Sequence, residues 1–112
     1  MSEVAVAADD VTFRVELTPH PPVAFARMRV RVRAERIGAP ASLEAGTVRF
    51  EMAMPMGDHS YTLVPGDGGW YEADVTLPQC VTGDRRWFAT VEATIAGHPR
   101  RVRFRFDLAR LE

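Results

Sequence analysis

The chain has 112 residues, 46% of them hydrophobic and 26% charged, with a net charge of −1. That is the size and balance of one folded domain with a real core, and it leaves no general electrostatic pull toward nucleic acid or anionic lipid. All 14 basic residues are arginine and there is one cysteine, Cys80, which excludes an internal disulfide framework.

No apolar run approaches the ~18 residues that mark a membrane-spanning helix. The N-terminal residues lack the basic and apolar regions of a signal peptide. The expectation is therefore a cytoplasmic protein or, preferred here, an exported one whose signal or anchor is missing from the sequence.

Period-two alternation runs through the chain and predicts strands. In residues 11–18, Val11, Phe13, Val15 and Leu17 alternate with Thr12, Arg14, Glu16 and Thr18. His20-Pro21-Pro22 breaks this run, because proline cannot donate to a strand ladder. Over residues 25–36, Met28, Val30, Val32 and Ala34 oppose Arg27, Arg29, Arg31 and Arg33, which is a strand with one dry and one wet face. Residues 38–42 read as a loop, with a short turn at 43–45.

Residues 47–54 form the next predicted strand, with Val48, Phe50, Met52 and Met54 inward, and Pro55-Met56-Gly57-Asp58 ends it. Residues 60–64 are extended, and Pro65-Gly66-Asp67-Gly68-Gly69 is a turn. Residues 70–77 alternate again, and 78–84 connect. Residues 86–96 and 100–108 make a hairpin across Gly97-His98-Pro99. About seven short strands and no helical period predict an all-β, immunoglobulin-like antiparallel sandwich. An eight-stranded barrel needs more strands.

The densest chemistry lies in Met52-Ala53-Met54-Pro55-Met56-Gly57-Asp58-His59. Thioether sulfur and imidazole are the donors that suit copper, sulfur especially the cuprous ion. Strand parity puts Met52 and Met54 on the core face beside Val48 and Phe50, where methionine also serves as plain packing. Met56 and His59 fall in a strand-end loop, the usual carrier of function on a rigid scaffold. Met54, Met56 and His59 are thus the candidate ligands, with Met52 and His98 behind them. His20 reads as exposed. One cysteine and scattered histidines match no zinc spacing, and Cys80 reads as a small apolar residue at a strand end.

Other chemistries find no support. There is no phosphate-cradling glycine loop before a helix, and Ser2, Ser42 and Ser60 lack a nucleophile-elbow context. The arginine rows at 27–33 and 101–105 suit phosphate or an acidic partner in principle. Glu16, Glu35, Glu51, Glu92 and Asp107 on similar faces instead predict a solvated, ion-paired surface. Phe25, Phe104 and Phe106 point away from these arginines, unlike the interleaved aromatics of single-strand nucleic-acid binders.

The order of motifs over residues 45–108 resembles the YtkA/FixH-like family. The likeness rests on the Met-Pro-Met run ending at His59, the Gly-Gly-Trp-Tyr turn at Gly68 to Tyr71, and the strand ending Leu77-Pro78. A 83–87 segment that ends on Trp87 and the closing hairpin complete it. The resemblance implies a small immunoglobulin-like sandwich outside the cytoplasmic membrane, commonly behind an anchor or lipoprotein signal. It also implies copper handling at Met54, Met56 and His59, since the FixH branch is associated with assembly of copper-containing respiratory oxidases. This chain departs from the family in carrying no anchor. Leu77-Pro78-Gln79-Cys80 looks like a subgroup trait. The expected function is a periplasmic copper-binding or copper-delivery module serving a protein partner, not an enzyme. The alternative is a metal-free interaction domain, and copper uptake discriminates the two.

Overall fold

The computed structural model describes residues 2–8, 10–18, 27–52, 59–77 and 86–107. They form ten strands: β1 (Ser2–Ala8), β2 (Val11–Thr18), β3 (Met28–Arg36), β4 (Ala39–Ala41), β5 (Ala45–Glu51), β6 (Ser60–Thr62), β7 (Val64–Pro65), β8 (Tyr71–Val75), β9 (Arg86–Ile95) and β10 (His98–Asp107). The first sheet runs β1-β2-β3-β8-β7, and β4 pairs with the part of β3 that β8 does not reach. The second runs β10-β9-β5-β6. Every pairing is antiparallel, and the two sheets pack as a sandwich.

Alternation dictates which face each strand buries. Val11, Phe13, Val15 and Leu17 of β2 and Val30, Val32 and Ala34 of β3 fill the first sheet's inner face. Val48 and Phe50 of β5 with Trp87, Ala89, Val91, Ala93 and Ile95 of β9 fill the second's. Each large side chain so buried is worth roughly 1.5–3 kcal/mol against remaining in water. Phe50 is the hub of the aromatic packing, edge-on to Tyr61 at 6.0 Å and to Phe106 at 5.9 Å. Glu16 is also buried, although it lies on the outer face of β2. Arg31 at 3.6 Å and the Thr18 hydroxyl, donating at 3.5 Å, compensate its charge.

The ten strands exceed the expected seven for three local reasons. β1 pairs along its whole length with β2, from Ser2 opposite Leu17 to Ala8 opposite Val11. Ile37 and Gly38 turn the chain tightly with φ of 54° and 73°, which makes 39–41 a strand instead of a loop. Residues 60–64 divide at Leu63, which is buried and donates its N–H to the Gly46 carbonyl at 3.0 Å. The chain there leaves the second sheet as β6 and enters the first as β7.

The last hairpin also turns earlier than expected, at Ala96 and Gly97, whose φ values are 51° and 78°. Both two-residue turns hold positive φ at each central position, as tight hairpins that follow the sheet twist require. The 65–69 turn forms as expected. Gly66 N–H donates to the Trp70 carbonyl at 2.7 Å, and Gly68 and Gly69 hold positive φ.

Register fixes which termini of the strands lie together. Thr18, Met28 and Val75 mark one end of the first sheet, and Glu51, Arg86 and Asp107 one end of the second. Tyr61 of β6 donates its hydroxyl to the Thr76 carbonyl at 3.2 Å, joining these two ends. At the other end Leu43 N–H donates to the Tyr71 hydroxyl at 3.0 Å, close to the Ile37–Gly38 and Ala96–Gly97 turns.

Candidate metal centre

β5 delivers its last inward residues, Phe50 and then Met52, at the end of the sandwich marked by Glu51 and Arg86. Met52 is buried, 9% exposed, and belongs to the core cluster. Its thioether is therefore packing, as strand parity predicts, and not a donor open to an incoming ion. Met54 and Met56 lie outside the described residues, as do His20 and Cys80.

His59 returns the chain toward β6 and is half-buried. Its carbonyl accepts the Phe50 N–H at 3.0 Å, which extends the β5–β6 pairing by one bond. Its imidazole stands edge-on to the Trp87 ring, with centroids 5.6 Å apart and planes at 88°. Trp87 is fully buried, and its indole N–H has no hydrogen-bond partner among the described residues. The side chain of His59 is thus seated against the rim of the core and is not a free loop group.

The structure removes His98 from the ligand set. It is exposed and opposite Ile95 at the far end of β9, while His59 meets Trp87 at the near end. At ~3.3 Å per strand residue the two lie roughly 26 Å apart, far too distant to share an ion. Among the described residues no group of three or more His, Cys, Asp and Glu side chains could hold a metal.

Away from this end, charge pairing organises the surface. Arg31 lies over the Trp70 ring at 4.7 Å and reaches Glu72 at 3.5 Å, while Arg14 pairs with Glu35 across β2 and β3. At the opposite end burial works to raise the Asp10 carboxyl's pKa. Its own backbone N–H, Arg100 at 2.9 Å and Arg36 at 2.8 Å outweigh that and hold it below the usual aspartate value.

The contact between His59 and Trp87 is not legible in the sequence, because the two residues are far apart in the chain. The inward parity of Trp87 in 86–96 was the available signal. Among the described residues no helix is long and apolar enough to cross a membrane. No family model, curated protein or solved structure matches the chain.

Proposed function

We propose that this protein is a copper-binding or copper-delivery module of the YtkA/FixH-like kind, working outside the cytoplasmic membrane and passing the ion to a protein partner. Met54, Met56 and His59 are its ligands. The observation that carries the reading is the seating of His59. Its carbonyl is fixed by the Phe50 N–H and its ring rests on Trp87, where the Met-Pro-Met run joins β5 to β6.

A ligand imidazole held this way loses little freedom on binding, which raises affinity without further contacts. Thioethers from the same connection supply soft sulfur, and the ion passes to a partner by ligand exchange. The strand order supports the immunoglobulin-like part of the resemblance. With β2, β3, β8 and β7 as strands A, B, E and D, and β10, β9, β5 and β6 as G, F, C and C′, it follows the order of that sandwich.

The test is competition for Cu(I) against a chromophoric chelator. His59→Ala combined with Met56→Ala is expected to abolish binding while the far-ultraviolet circular dichroism stays unchanged. Unaltered affinity in the double variant refutes the assignment. One observation favours the second reading, a metal-free interaction domain: Ile37 is 92% exposed at a hairpin tip. Wild-type protein that takes up no copper leaves that reading in place.

A further inference from the structure

The two outer faces of the sandwich differ in charge balance. On the first sheet β2, β3 and β8 present Arg14, Arg29, Arg31 and Arg33 against Glu16, Glu35, Glu72 and Asp74, sign for sign. On the second, Arg86 and Asp107 pair at 3.3 Å near the sheet end, leaving among the described residues Arg49, Arg101, Arg103 and Arg105 against Glu51 and Glu92. Glu51 takes Arg49 at 2.7 Å, and Glu92 takes Arg101 at 3.2 Å with Arg49 at 3.9 Å. Neither Arg103 nor Arg105 has a carboxylate at ion-pair distance among the described residues. Arg103 lies instead over the Phe88 ring at 4.3 Å. A guanidinium stacked on a ring keeps its edge N–H groups for another acceptor.

Register turns this excess into a site. Thr90 of β9 is opposite Arg49 on β5 and opposite Arg103 on β10, so arginines flank a threonine across three strands. The neighbouring row, Thr47–Glu92–Arg101, has a carboxylate in the central place. Here the central place carries a hydroxyl, and among the described residues no carboxylate neutralises Arg103. Thr90 is 7% exposed and floors a groove of about 230 Å³ walled by Arg49, Glu51, Arg101 and Arg103. The groove thus gathers one hydroxyl and three guanidinium groups; two of these, Arg49 and Arg101, also pair with Glu51 and Glu92, and Arg103 pairs with no carboxylate among the described residues. That arrangement suits a tetrahedral oxyanion, because guanidinium forks match phosphate geometry.

We infer that the groove over Thr90 is a phosphate-binding site, with Arg103 and Arg101 as its principal donors and Arg49 as the third. The phosphate belongs either to a free small molecule or to an anionic lipid headgroup. The groove lies on the outer face of the second sheet and does not involve His59, so it stands or falls independently of copper.

The test uses the whole chain and orthophosphate at constant ionic strength, followed by backbone amide resonances. Saturable shifts at Thr90, Arg101 and Arg103 are expected. Arg103→Gln should weaken binding about tenfold, as loss of a charged bidentate donor does. Arg33→Gln, on the opposite face, should leave it unchanged. Non-saturating shifts, or equal weakening by Arg33→Gln, overturn the site.

A second arm uses vesicles of equal parts phosphatidylglycerol and phosphatidylcholine. Sedimentation with them that orthophosphate and Arg103→Gln both abolish identifies the headgroup as the source. Saturable orthophosphate binding without sedimentation identifies a free phosphate.

Discussion

Replacing Ile37 with asparagine should stabilise the protein. Ile37 holds φ of 54° at the first central position of the β3–β4 turn, with Gly38 at 73° behind it. A left-handed backbone costs an ordinary L-residue roughly 1–2 kcal/mol, and a β-branched residue is among the least suited to it. Asparagine enters this region far more readily, and Asn-Gly is the preferred pair for this turn. The side chain is 92% exposed, so its loss forfeits almost no burial.

The net gain should be about 1 kcal/mol, or ~4 °C in Tm for a domain of this size. Urea denaturation checks it as a higher midpoint at unchanged slope. Ala96→Asn offers an internal comparison, since Ala96 and Gly97 have the same geometry without branching, and should gain about half as much. A neutral or destabilising Ile37→Asn beside a stabilising Ala96→Asn refutes the argument from backbone strain.

Two further outcomes follow from single contacts. Tyr71→Phe removes the acceptor of the Leu43 N–H. It should cost about 1 kcal/mol and speed hydrogen exchange at the Leu43 amide, which two-dimensional NMR reads directly. Asp10→Asn should flatten the acid side of the stability profile. The folded carboxyl's pKa is depressed, so its contribution is full above the ordinary value near 3.8 and fades as the pH falls from there through the folded value. Chemical denaturation of both proteins from pH 6 to 2.5 tests this, and parallel curves contradict it.

Strand faces were legible in the sequence wherever large apolar side chains alternate with charge. Val30, Val32 and Ala34 face in while Arg29, Arg31 and Arg33 face out, because a period of two has one solution once a face must be dry. β1 escaped because the apolar residues of Ser2–Ala8 are valine and alanine, too small to give a strong pattern. β4 escaped because Gly38 and Pro40 read as loop, yet an edge strand tolerates proline. At the candidate site, parity settled Met52. The meeting of His59 with Trp87 and the remoteness of His98 depend on how β5 registers with β9, which no local pattern encodes.

The sheets are closed by distant partners, and this bears on how the chain reaches its fold. Val48 pairs with Val91 and Val30 with Ala73, each across some forty residues. Such closures make all-β domains slow, with folding in milliseconds to seconds. At ~5–20 residues per second of synthesis, the inner faces of β3 and β5 wait seconds for β8 and β9 to emerge. During that interval Val30, Val32, Val48 and Phe50 lie within reach of other nascent chains. Arg29, Arg31, Arg33 and Arg49 stand between or beside them on the same strands. A charge at every second position breaks up the uncharged stretches from which strands of different chains zip together. The arginine rows thus guard the unfinished chain against aggregation before they form any surface of the finished one.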